Sequence, residues 1–347
     1  MQPNVTLVLP VYNVESYLRQ CLDSVVNQTM REIQIICVND GSSDILEEYA
    51  TKDSRIMIIH QENQGAGSAR NAAFPHIQGK YTYFVDPDDW IDVQLCEKLF
   101  KYAEENKAEI VYLNAHCVNE FGVQMSHREK NFKQYDSSHL KFFTLNKNLS
   151  LFERKNSLLS IDATCRKFWN SNFLLDNQIT FAAGKRPCND VLQNWKGVVY
   201  AQKIEILTDK LYYRRIRPGS YQMNKNNNSK LIVFHVCSEI KKFLLLSGYY
   251  DHYQKYFFTQ KIRRIFRVYA LCPKNLRKIV FEMALDIFDD DERDFCYRSN
   301  LFSRGVIFGR RIFAKKQKKF FHYVFFSVLL LLYTNLFLLA FRIKKMV

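Results

Sequence analysis

Three carboxylates crowd into four positions of Phe84-Val85-Asp86-Pro87-Asp88-Asp89-Trp90, directly after the β-prone run Tyr81-Thr82-Tyr83-Phe84-Val85. Carboxylates this close repel one another unless positive charge sits among them. Mg²⁺ and Mn²⁺ prefer hard oxygen ligands and leave room for substrate phosphates. A strand that ends in Asp-x-Asp therefore suggests a site for a divalent metal and a diphosphate. Asp and Pro also favour turns, so a plain polar turn is the competing reading of this motif taken alone.

Stepping along the chain, strand and helix signals alternate through the first 115 residues. Val5-Thr6-Leu7-Val8-Leu9 is an apolar run closed by Pro10. Asn13 is placed to cap a helix, with Glu15 in its first turn. Tyr17, Leu18, Cys21, Leu22, Val25 and Val26 then repeat at helical spacing. Ile33 to Val38, Ile56 to Ile59, Tyr81 to Val85 and Ile110 to Leu113 read as further strands. Asp44 to Tyr49, Gly67 to Phe74 and Cys96 to Glu105 read as the helices between them. Such alternation predicts an α/β fold whose mostly parallel sheet is covered on both faces. Ligands in sheets of this kind bind beyond the C-terminal strand ends. Pro10-Val11-Tyr12-Asn13, Asn39-Asp40-Gly41-Ser42 and Asp86 to Asp89 all lie at those ends, which argues for one site.

Four pieces taken together resemble the inverting glycosyltransferases of family 2, which have the GT-A fold, a Rossmann-like architecture. They are Leu9-Pro10-Val11-Tyr12-Asn13, Val38-Asn39-Asp40-Gly41-Ser42-Ser43-Asp44, Asn63-Gln64-Gly65-Ala66-Gly67-Ser68-Ala69-Arg70-Asn71, and Phe84 to Trp90. The resemblance covers residues 3 to 115 well and extends more weakly to 222. Within the family it looks most like bacterial enzymes that build capsule, exopolysaccharide or O-antigen units. It implies a nucleotide-sugar donor, UDP by family habit, and Mn²⁺ or Mg²⁺ as cofactor. Asp40 would hydrogen-bond the base or ribose, with Pro10 and Tyr12 lining the base pocket. Gly65 and Gly67 would let backbone approach phosphate or ribose, and Arg70 would reach the diphosphate, unless it serves a structural salt bridge. Asp88 would be the principal metal ligand. Asp86 would hold ribose or a metal-bound water, and Asp89 would orient the donor sugar or a neighbouring strand.

Displacement at the anomeric carbon with inversion also needs a carboxylate to take the acceptor proton. The family commonly places a Glu-Asp pair at the opening of a helix. The matching segment here is Cys188-Asn189-Asp190-Val191-Leu192, with Asp190 in the place of the base and Asn189 in the place of the Glu. Leu211 to Ser220 resembles the family's segment of tyrosine, arginines and serine, so Arg214 or Arg217 would meet a diphosphate of the donor or of a lipid-linked acceptor. A basic surface loop is the plainer reading of those arginines.

The chain has 347 residues, is 47% hydrophobic and carries a net charge of +15. From Phe295 to Val347 there are 11 Lys and Arg and no Asp or Glu, which leaves a net of only +4 on the other 294 residues. The basic groups flank an apolar block instead of interleaving with base-contacting motifs, which argues against a nucleic-acid partner. His322 to Phe341 is 20 residues without a charge, about the length of helix that spans a bilayer core. Basic flanks are attracted to anionic lipid. A membrane-associated or single-span helix over 320–342 is thus expected, with the catalytic domain on the cytoplasmic face of the bacterial inner membrane. A helix buried in the soluble domain competes with it. The nine cysteines form no CxxC pair, so neither zinc nor a redox pair is indicated, and reduced cytosolic thiols fit. The start of the chain has no basic-then-apolar leader, so no secretory signal is expected.

The expected organisation is a GT-A catalytic domain over 1–222, a helical basic region over 223–319 and the apolar helix over 320–342. Within the first, 1–115 would hold the nucleotide-sugar and 116–222 the acceptor. Asp286 to Asp294 holds six acids and reads as a solvated loop. The expected partners are a nucleotide-sugar, a glycan or polyprenyl-diphosphate-linked acceptor, and a membrane surface. A sugar nucleotidyltransferase would carry a glycine-rich loop after the first strand, where Pro10-Val11-Tyr12-Asn13 stands instead. A non-catalytic sugar-nucleotide-binding or scaffold protein is the remaining alternative, motivated by Asn189.

Overall fold

A computed structural model of the chain describes residues 2–40, 45–125, 150–184, 188–217, 231–289 and 292. The chain divides into two compact units, Met1–Asn224 and Lys225–Val347.

The first unit is built on one eight-stranded sheet. Its strands are β1 (Val5–Val11), β2 (Ile33–Asn39), β3 (Ile56–His60), β4 (Tyr81–Phe84), β5 (Trp90–Ile91), β6 (Ile110–Asn119), β7 (Lys167–Asn170) and β8 (Ile204–Ile216). They lie in the order β3-β2-β1-β4-β7-β6-β8-β5. The helices α1 (Glu15–Val26), α2 (Ile45–Lys52), α3 (Ala66–Ala72) and α4 (Leu95–Asn106) alternate with the early strands. Leu151–Leu158 forms α5, Ser171–Asp176 α6 and Asn189–Tyr200 α7.

β3, β2, β1 and β4 are parallel, as the alternation predicts. β7 then runs antiparallel to both β4 and β6, and β5 runs antiparallel to β8. β6 and β8 pair in parallel, so β1 to β4, β6 and β8 run one way and only β5 and β7 the other; the sheet is mixed but mostly parallel, as expected. The two reversed strands lie in the second half, where they break the simple alternation of the first. Leu7 and Leu9 are buried on one face and Val8, Ile36 and Phe84 on the other, so both faces are covered. Pro10 sits in a central strand because β4 pairs only with Val5 to Val8, and the missing N–H lies past its end. Asn13 does not cap α1; Val14 does, without a side-chain bond, while Asn13 takes a left-handed conformation at φ 47°. Asp44, where the next helix is expected to begin, lies outside the described residues.

The second unit contains α8 (Ile232–Leu246), α9 (Tyr250–Leu271) and α10 (Lys274–Ile287). Val233, Phe234, Cys237, Ile262, Ile265, Val280 and Phe288 form its core. Two described acids after α10, Asp289 and Glu292, depart from the solvated loop expected. Glu292 is fully buried and takes both carboxylate oxygens to Lys261 Nζ at 2.8 Å, while Asp289 pairs with Lys241. Among the described residues no helix is long and apolar enough to cross a membrane. Residues 320–342, where such a helix is expected, lie outside them.

Candidate active site

The C-terminal ends of β1, β2 and β4 stand side by side, so their loops share one edge of the sheet. Asp40 follows β2 directly, and its own N–H donates to the Val11 carbonyl at 2.9 Å. Its carboxylate is buried. Oδ1 accepts from Gln61 Nε2 (2.6 Å) and the Gln64 N–H (2.9 Å), and Oδ2 from the Gly65 N–H (3.0 Å). Asp40 thus shapes the loop that leads into α3. Gly65 caps that helix at φ 88°, a backbone state that L side chains rarely adopt. Gly67 serves the protein's own packing: a Cβ there would meet the Ala182 carbonyl oxygen at 2.2 Å and Asn189 Cβ at 3.0 Å. Pro10 is buried in β1, whereas Tyr12 stands 45% exposed, as a stacking surface requires.

Arg70, on the last turn of α3, reaches Asp86 Oδ1 at 2.6 Å and Asn189 Oδ1 at 3.3 Å, and lies over the Phe181 ring. One guanidinium therefore joins the acidic motif to the opening of α7. Asp88 is held by Arg217 Nε at 2.9 Å. Burial raises the Asp88 pKa and repulsion from Asp86 adds to this, while Arg217 works against both. Asp89 is inside the protein at 3% exposure, accepting from Tyr212 Oη and from the Arg215 N–H, each at 2.6 Å. Burial drives its pKa well above the carboxylate range, with Asp88 and Asp86 adding to the rise. These two bonds tie Asp89 to β8, in line with the neighbouring-strand role among the two expected for it.

Arg215 had no sequence signal of its own, because its neighbours Arg214 and Arg217 looked equally able to bind phosphate. It is buried, donating to the Asp88 carbonyl (2.9 Å), the Glu120 carbonyl (2.5 Å) and Gln20 Oε1 (2.5 Å). It lies over Tyr17 and Trp90. Strand alternation puts Arg215 on one face of β8, and Tyr212 and Arg214 on the other. Arg217, just past the end of β8, lies over the Tyr17 ring as Arg215 does.

Asp86, Asp89 and Cys165 bring ligand atoms within 4.8 Å of one another. That trio suits a hard cation poorly, since Asp89 is already bonded and burial pushes the Cys165 thiol up to about 12. Asp86 and Asp88, partly exposed and offering only oxygen, fit Mg²⁺ or Mn²⁺ better.

Asp190 lies in the first turn of α7. Burial raises its pKa to about 6, Asp162 adds to the rise, and Lys167 and Arg70 oppose it. Lys167, unread in the sequence, is fully buried with Nζ donating to the Asp162 carbonyl at 2.7 Å. Its burial lowers the ammonium pKa to about 8, against the pull of Asp190. A carboxylate that ionises near 6 is suited to accept a proton at neutral pH.

Residues 6–165 match the family described as Glycosyl transferase family 2. Glycosyltransferase GlyA of Streptococcus pneumoniae is 36% identical over 226 residues, 62% of this chain and 31% of that protein. The poly(ribitol-phosphate) beta-glucosyltransferase of Bacillus spizizenii is 28% identical over 228 residues, 63% of this chain and 33% of that protein. The chain thus spans about a third of each of these curated relatives. Among solved structures, S. aureus TarS 1–349 in complex with UDP-GlcNAc superposes with a TM-score of 0.56 at 20% identity, covering 87% of this chain and 93% of that one. That likeness speaks to the fold.

Proposed function

We propose, from the premise that the chain belongs to glycosyl transferase family 2 through residues 6–165, that it is an inverting, metal-dependent transferase. It would move a sugar from a nucleotide-sugar to a hydroxyl of a glycan or lipid-linked acceptor in bacterial surface polysaccharide synthesis. The observation that carries this is the link made by Arg70. It holds the acidic motif after β4 and the first turn of α7 together, so a donor site and a candidate base face one another.

Tyr12 would stack on the base, and Asp40 would hydrogen-bond the base or ribose. Asp88 and Asp86 would hold the divalent cation, whose chemistry would be to neutralise charge on the leaving diphosphate. Asp190 would take the acceptor proton while the hydroxyl oxygen attacks the anomeric carbon from the face opposite the diphosphate. Asn189 keeps an acceptor for Arg70 where a Glu is usual, so the geometry survives the departure. UDP is the favoured carrier: the TarS structure that shares the fold is a complex with UDP-GlcNAc. The basic and apolar sequence after Phe295 supports a place at the cytoplasmic membrane face, beside polyprenyl-linked acceptors.

Donor binding tests this. UDP, GDP, dTDP and CMP are titrated into the full chain with and without Mn²⁺. One nucleotide should bind more tightly with metal, and Asp88→Ala should abolish that gain. Metal-independent weak binding of all four would remove the reading.

A further inference from the structure

Three arginines answer the three acids of the motif, and they are held very differently. Arg70 is fixed between Asp86, Asn189 and the Phe181 ring. Arg215 is fixed by three acceptors and two rings. Arg217 has its ion pair to Asp88 and a looser approach to the Tyr17 ring at 5.2 Å, and its side chain is 26% exposed. It occupies Oδ2 of Asp88, one of the two carboxylate oxygens open to a divalent cation. A guanidinium and a dication cannot both sit on that oxygen, because their charges repel at contact distance. Nor can Asp88 stand alone comfortably, with Asp86 beside it and much of its side chain out of water.

We propose that Arg217 is a placeholder cation: it neutralises Asp88 in the donor-free protein, leaves when the divalent ion arrives, and turns its planar fork to the donor diphosphate. This rests on the metal-dependent reading above. Arginine suits both positions, since carboxylate and phosphate accept the same paired donors. The exchange couples the ligands. Metal alone must displace Arg217 without compensation, whereas metal with a diphosphate gives the arginine somewhere to go. By linkage, each ligand then tightens the other by the same factor.

The test is Mn²⁺ binding, read from the electron paramagnetic resonance signal of the free ion, on wild type, Arg217→Ala and Arg217→Lys, with and without UDP. Without nucleotide, Arg217→Ala should bind Mn²⁺ roughly three- to fivefold more tightly than wild type, the scale of a partly exposed ion pair. Arg217→Lys, which keeps the charge, should stay at the wild-type value. UDP should tighten Mn²⁺ binding by a larger factor in wild type than in Arg217→Ala. Unchanged or weaker Mn²⁺ binding by Arg217→Ala overturns the placeholder and leaves the metal site standing. Failure of wild type to bind Mn²⁺ even with UDP removes both. A merely structural Arg217 would lower the melting temperature on replacement and leave Mn²⁺ affinity where it was.

Discussion

In the proposed reading Asp190 is the base, and Lys167 is the buried cation whose charge bears on its ionisation. A base must be deprotonated to work, and burial raises the Asp190 pKa to about 6. The rate under kcat conditions should therefore fall as pH drops through about 6 and level off above it. Lys167 favours the ionised form, so Lys167→Met should raise that pKa and move the acid limb to higher pH. A pH–rate profile of each protein checks both statements. Asp190→Asn should cost on the order of 10²–10⁴ in kcat while nucleotide affinity is kept; a loss of nucleotide binding instead would move Asp190 out of the base role. Where Asp40, Asp86, Asp88 and Asp190 lie was legible in the sequence, because they sit in motifs at strand and helix ends. The partners were not. Nothing in Arg214-Arg215-Ile216-Arg217 says which arginine is buried, since that depends on Tyr17, Gln20 and Trp90, far away in the chain. The sequence leaves Asp89 between the donor sugar and a neighbouring strand, and says nothing of Tyr212 and the Arg215 N–H, which bond its carboxylate.

The elements divide in the same way. β1 to β4 and the helices between them were readable because each strand is an apolar run and each helix shows one apolar face. β7 was not, since four residues beginning with a buried lysine carry no strand periodicity. Its reversed direction comes from the route of the chain between β6 and β8. Gly67 shows how tightly α3 is seated against the segment before α7. An added Cβ would meet backbone, which cannot swing aside, so Gly67→Ala should cost about 1–3 kcal/mol. Urea unfolding measures it. An effect under about 0.5 kcal/mol, within the range of ordinary surface changes, would mean that the two segments part easily.

For the molecule as a whole, charge is the thread. The uneven basic balance was plain in the composition, yet the fate of the acidic run was hidden in it. Six acids in nine residues look solvated, but Glu292 is drawn inside by Lys261, which itself lies under the Phe288 ring. Removing one partner strands the other charge. Lys261→Met should destabilise the helical unit by roughly 3–5 kcal/mol, and adding Glu292→Leu should restore most of it. Thermal unfolding of the full chain with each variant gives the comparison. A single mutant as stable as wild type would mean that water reaches Glu292.

β8, the last strand of its sheet in chain order, supplies Tyr212 and Arg215, and Arg217 follows directly after it; these are the groups that hold Asp88 and Asp89. The acids leave the ribosome more than a hundred residues before their counter-charges do. At about 5–20 residues per second, that is a delay of many seconds. During this interval Arg70 is at hand for Asp86, while Asp88 and Asp89 stand without the groups that hold them in the finished chain. Translation itself thus sets the order of assembly, and a partly made polypeptide lacks the segment that closes its acidic centre.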